Sequence, residues 1–251
     1  MNETPLVEQL SSGQVSARAQ YERMFVGRPG LLPLLKYELC MSWPSQWSGA
    51  AGYLVRKKLY PRLMNRCGRG CLFGRGSMLR SPGRISFGDG VILDDLCVID
   101  AKGDDSDITF GSQVLLSRYC IVTCNDATIR FGDFCSVGAY CNFASKSMLT
   151  VGSYTSIGPG SQIIAGGHAF DDPETPVVKQ KRVSVGIAIG SGCWIGAGTV
   201  VMDGAVIGDN CIIGAGAVVK GTIPPYSVAV GTPARVLYDR REKAKASAGR
   251  S

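Results

Sequence analysis

Histidine is nearly missing from this chain: His168 is the one imidazole in 251 residues. Metal centres built on several histidines are therefore excluded at the outset. No apolar run approaches the ~18 residues that span a bilayer, and Met1–Gln20 is too polar for a secretory leader. The expected place is the cytoplasm, with a peripheral position on the inner face of the cell membrane left open. Low hydrophobicity is not among the deficits. At 45% hydrophobic residues, with 33 glycines and no G-X-Y period, neither disorder nor collagen fits. Positive charge is scarce in the middle and concentrated at the ends. Residues 1–72 carry ten Lys/Arg against four Asp/Glu, residues 235–251 six against two, and the intervening stretch eleven against fourteen.

What the sequence does have is a six-residue period. A large apolar residue returns at Phe87, Leu93 and Ile99, then at Phe110, Leu116 and Val122, then at Phe131, Val137 and Phe143. The step continues through Val151, Ile157 and Ile163, and again from Ile189 through Ile195, Val201, Ile207 and Ile213 to Val219. Glycine follows the apolar residue at the recurring corner, as in Phe73-Gly74, Phe87-Gly88, Phe110-Gly111, Ile189-Gly190 and Ile207-Gly208. Amphipathic helices do not repeat this way. Three such units close one coil with three flat faces, so the sequence predicts a solenoid of about seven coils. The position two before each large residue must also point inward and be small. Cys71, Cys97, Cys120, Cys135, Cys141, Cys193 and Cys211 occupy it, along with Thr155, Ser161, Thr199, Ala205 and Ala217. Seven of the ten cysteines are thereby read as interior packing, not disulfides or metal ligands.

One break dominates. From Ile163 to Ile189 the frame slips by 26 positions where six are due, so a loop is expected over 164–188. It carries His168, Asp171, Asp172, Glu174, Lys179, Lys181 and Arg182. Shorter insertions fall near Pro82, Asp104, Asp126 and Ser145. A rigid scaffold with one chemically rich excursion is a common way to hold reactive groups. An imidazole there suits general-base work at neutral pH. The acidic residues either orient that imidazole, contact an acceptor, or are solvated.

The run IGSGCWIGAGTVVMDGAVIGDNCIIGAGAVVKGTIPPYSVAVGTPARV resembles the C-terminal half of the hexapeptide-repeat acyltransferases, the galactoside, maltose and xenobiotic O-acetyltransferases among them. The resemblance extends over residues 73–238. It implies a left-handed parallel β-helix, an all-β solenoid, assembled as a homotrimer and transferring an acetyl group from acetyl-CoA to a saccharide or lipid-linked saccharide. Neither a metal nor nucleic acid is expected. By position, it makes His168 the general base, sets Ala197 and Ala215 against the pantetheine arm, and places Arg235 and Lys220 near the nucleotide phosphates. Asn142, Asp171, Asp172 and Trp194 are the acceptor-side candidates. The outward indole of Trp194 could equally touch cofactor, a neighbouring subunit or the underside of the loop. Ala169 stands where many members have Pro, and Lys220-Gly221 where Thr-Lys is commoner.

Three units are therefore expected. Residues 1–72 form a helical cap, 73–223 the β-helix, and 224–251 a C-terminal cap with a basic tail. The cap carries amphipathic stretches with Arg56, Lys57, Lys58, Arg62 and Arg66, which either shield the open end of the solenoid or rest on anionic lipid. N-acetylation of an amino sugar or nucleotide sugar, and a non-catalytic scaffold subunit, remain as alternative functions.

Overall fold

A computed structural model describes residues 16–248. Among these, three parallel sheets form the faces of a triangular prism. The first face holds eight strands, from Arg66–Cys67 to Thr222–Ile223; the second runs from Leu72–Phe73 to Ser227–Val230; the third holds seven, from Met78–Arg80 to Val218–Val219. Each strand pairs with its counterpart one coil away. Phe131 thus lies between Phe110 and Val151, and Ile195 between Ile157 and Ile213. The prism contains seven complete coils and part of an eighth. Its first rung starts at Arg66–Cys67, ahead of the point where the repeat becomes legible, because Cys67 fills the place of the large apolar residue in register with Phe87.

The residues of the six-residue period form the core. Phe87, Leu93, Ile99, Phe110, Leu116, Val122, Val137 and Phe143 are all buried. Aromatics make a continuous column up the N-terminal half: Tyr60 to Phe73, then Phe87, Phe110, Phe131 and Phe143, with successive ring centroids 4.8–5.9 Å apart. The seven interior cysteines are buried beside it and all ten thiols are free. Each interior thiol also lies within hydrogen-bonding distance of a corner carbonyl one coil on, for example Cys120 Sγ to Gly138 O at 3.1 Å and Cys193 Sγ to Gly208 O at 3.1 Å. Thr155 makes the same contact to Gly190 O at 2.8 Å. Where the position carries Cys, Ser or Thr the side chain also gives the corner oxygen a donor, whereas Ala205 and Ala217 fill it by size alone.

Helices close the N-terminal end: α1 (Ala17–Tyr21), α2 (Leu31–Met41) and α3 (Gly49–Leu59). Tyr37 and Tyr60 send their hydroxyls to Leu79 O and Ser77 O. Arg56 is buried and spends its guanidinium on the carbonyls of Phe73, Pro44 and Trp47, so it is a fastener of the cap and not a surface cation. At the other end, Arg235–Asp239 folds back antiparallel on Ser227–Val230 and leads into α4 (Arg240–Ala248). No helix among the described residues is long and apolar enough to cross a membrane.

Candidate active site on two edges of the prism

The three edges of the prism differ in construction. All the insertions fall on the edge joining the third face to the first: Ser81–Arg84, Gly103–Ser106, Asp126–Ala127, Lys146–Ser147 and the long loop, which leaves after Ala165 and rejoins at Ile187. The loop begins as a short hairpin in which Gly167–His168 pairs antiparallel with Arg182–Val183. Gly166 and Gly186 frame it with φ of 132° and 114°, backbone that residues bearing a Cβ strongly disfavour.

His168 is half-buried, and its Nδ1 lies 3.4 Å from the Gln180 carbonyl oxygen. A carbonyl can only accept, so the contact requires the proton on Nδ1 and leaves the Nε2 lone pair free. The orienting group is backbone, not a carboxylate. Asp172 is occupied otherwise: its Oδ1 accepts from the Glu174 N–H at 2.9 Å and the Thr175 N–H at 3.3 Å. The Thr175 hydroxyl and the Glu174 N–H hold the Asp172 carboxyl below the usual carboxylate range. Asp171 and Glu174 are exposed on the same turn.

Two residues that sequence reasoning missed hold the loop in place. Gln180 bridges it internally, donating to Asp172 O at 2.7 Å and Thr175 O at 2.8 Å. Asp203, on the next coil, receives the N–H of Val185 and of Gly186, each at 2.8 Å at its nearest. Neither stands in the repeat frame as a large or small apolar position, so periodicity gives no sign of them.

The edge joining the second face to the third is the opposite in character. Its outer positions, from the C-terminal end upward, are Gly216, Gly198, Gly160, Tyr140 and Tyr119. A Cβ on any of the three glycines would meet nothing within 4 Å, so over these three coils the edge is bare backbone facing open space. Ala215 and Ala197 lie on it, exposed and stacked one coil apart. Arg235 is also there: the preceding segment passes beneath the edge, with Gly231 O accepting from Val218 N and Thr232 Oγ1 donating to Gly216 O. Lys220 is not. It sits on the insertion edge with the loop, across the third face from Ala197 and Ala215.

Asn142 opens its third-face strand right after Tyr140 and donates to Gln162 at 3.2 Å. It is therefore on the bare edge's side of that face, while the loop departs from the far end of the neighbouring strand. Trp194 is outward on the second face and 60% exposed, in register with Ser156 and Ile212. Tyr119 and Tyr140 stack at 4.8 Å, the latter 60% exposed; on the remaining edge Phe134 and Tyr154 stack likewise at 4.9 Å.

Residues 186–221 match the bacterial transferase hexapeptide family, described as six repeats. Over this stretch the chain carries the repeat that the family is named for. Its β-helix is of the left-handed type that this repeat builds. Over 166 residues, 66% of its length, it is 29% identical to a probable acetyltransferase of Mycobacterium tuberculosis, of which the match spans 53%. It is 25% identical over 170 residues to the dTDP-4-amino-4,6-dideoxy-D-glucose acyltransferase of Escherichia coli, spanning 87% of that protein. A solved N-acyltransferase of Bacillus cereus, in complex with dTDP and 3-hydroxybutyryl-CoA, superposes with a TM-score of 0.53 at 20% identity, covering 82% of this chain and 95% of the other.

Proposed function

We propose that the protein transfers an acetyl group from acetyl-CoA to a hydroxyl of a saccharide or lipid-linked saccharide, with His168 as general base, in a homotrimer. The observation that carries this reading is the imidazole itself: its Nδ1 lies against a backbone carbonyl, which leaves Nε2 as the atom to accept a proton, on a loop whose return to the prism is fixed by Asp203. His168 Nε2 takes the proton of the acceptor hydroxyl as that oxygen attacks the thioester carbonyl, and passes it to the departing CoA thiolate. The bare edge supplies the other half. Glycines without side chains at Gly160, Gly198 and Gly216 admit a narrow pantetheine chain against the backbone beside Ala197 and Ala215, with Arg235 at the end suited to phosphate. Asn142 and the exposed Tyr119–Tyr140 stack continue the same edge past the thioester end, where an aromatic face and an amide suit a sugar ring.

Base and groove lie on different edges of one chain, so a second copy must bring them together, which supports the trimer. The loop also exposes Phe170 (78%), Val178 (78%) and Val185 (79%), apolar side chains that suit a covering neighbour.

The Escherichia coli relative acts, by its name, on an amino sugar nucleotide. That favours one second reading, transfer to an amine instead of a hydroxyl, with the same base and groove. An assay of thiol release from acetyl-CoA with neutral sugars, amino sugars and their nucleotide or lipid-linked forms separates the two. In the same assay His168→Ala is expected to lower turnover by at least about a hundredfold while the thermal melt is unchanged; full activity in that variant sinks the assignment of the base.

A further inference from the structure

The cap has a face that nothing in the chain covers. Helix α2 packs inward through Tyr37, Cys40 and Met41, all buried. Outward it presents Leu32, Leu35 and Leu39, and beyond its end Trp43, exposed by 80%, 55%, 68% and 70%. Spacings of three, seven and eleven from Leu32 put all four in one stripe, about 16 Å long at the helical rise per residue. Trp43 meets Trp47 edge-on at 5.1 Å at the stripe's end. A convex ridge of this kind offers no groove to a peptide.

Its surroundings are cationic. From Ser16 to Arg66 the cap carries nine Lys/Arg against two Asp/Glu. Lys36 stands exposed within the stripe, and Lys57, Lys58 and Arg62 are exposed on α3 and just after it, next to the exposed Leu54. At the foot of the ridge Arg28, Leu32, Pro33 and Lys36 line a cavity of about 260 Å³ that joins two cations to an apolar wall. The two acids are engaged, Glu22 with Arg18 and Glu38 with the hydroxyls of Tyr21 and Ser42.

We propose that the α2 ridge is a membrane-docking surface that seats Leu32, Leu35, Leu39 and Trp43 in the interface of an anionic lipid bilayer, with Lys36 and Arg28 on its phosphates. Leucines for the acyl boundary, tryptophan at headgroup level and flanking lysines are the chemistry of an interfacial helix. Charge complementarity decides between occupants. Two ridges facing each other would press two cationic surfaces together, whereas an anionic bilayer neutralises both the cations and the apolar exposure. This surface lies at the N-terminal end, away from His168 and the bare edge, so the inference stands or falls independently of the acyl-transfer reading.

The test is sedimentation of the full chain with phosphatidylcholine vesicles, with and without roughly 30% phosphatidylglycerol, at about 0.1 M salt. Binding is expected to the mixed vesicles and to be weak with phosphatidylcholine alone. Leu32→Glu with Leu39→Glu should cut the partition coefficient at least about tenfold, and Lys36→Glu with Arg28→Glu severalfold on anionic vesicles only. Because these side chains are exposed, the melting temperature of each variant should match the parent. Absence of binding to the mixed vesicles overturns the proposal. So does unchanged binding of the double leucine variant, displacement from vesicles by millimolar inorganic phosphate, or a native mass that falls when Leu39 is replaced by Glu, the mark of a copy-to-copy contact.

Discussion

His168 and the interior cysteines show two ways in which a single residue type is constrained by its place in the coil. The imidazole has its Nδ1 set against a main-chain oxygen, the Gln180 carbonyl. The thiols are useful because they are small, fit the narrow prism and donate to the next corner. Burial pushes the Cys124 and Cys193 thiols up to about 11, so at pH 8 both are neutral and poor nucleophiles. With a thiol reagent at that pH, the folded protein should react slowly at the nine buried cysteines, and all ten cysteines should react once guanidinium unfolds the chain. The sign of the pH effect on stability follows. Folded Cys124 and Cys193 hold their protons above the ordinary thiol range near 8.5–9, so the unfolded chain releases protons first as pH rises. Melting temperature should therefore be insensitive to these groups below about pH 9 and fall between there and about pH 11, and Cys124→Ala should flatten that fall. A melting curve equally steep in that variant would show that other groups govern the alkaline limb.

At the scale of the element, regular coils and the excursion from them were unequally legible. Repeat, inward cysteines and the position of the loop follow from spacing, because each residue there obeys a local packing rule. Gln180 and Asp203 obey none. Their partners are backbone groups whose positions exist only after the loop has folded, so a sequence pattern cannot announce them. Asp172 shows the same limit from the other side, since its carboxylate is needed by the N–H groups of its own turn. Asp203 makes the clearest prediction. Replacing it by Ala strands the Val185 and Gly186 donors and loosens the loop's return while leaving the prism intact. Turnover should fall at least about tenfold with the melting temperature nearly unchanged, protease should nick within 166–186 faster than in the parent, and Asp203→Glu should restore part of the activity. The column of rings is the contrasting case: Phe110→Ala opens a hole between Phe87 and Phe131 and should cost about 3–5 kcal/mol in denaturant unfolding without a selective effect on turnover.

At the scale of the molecule, the insertion edge and the bare edge lie apart in one chain, and the proposed transfer needs a second copy to bring them together. Lys220 illustrates this: its motif neighbours suggested the same phosphate end as Arg235, but the coil puts the two on different edges. The consequence can be tested by mixing. Gly198 has φ of 66°, and Tyr119 and Tyr140 hold the equivalent corner of earlier coils at 61°, so the fold tolerates an aromatic side chain there. Gly198→Tyr should fold normally and block the pantetheine path. Alone, that variant and His168→Ala should each be inactive. Unfolded together in equal amounts and refolded, they should regain activity, because an interface between copies pairs an intact base from one with an intact groove from the other in about a quarter of random arrangements. Recovery near that fraction, with a native mass of three chains, is the signature of a site shared between copies. No recovery from well-folded mixed trimers would mean that base and groove must come from the same chain, and with that the homotrimeric reading of the active site would fail.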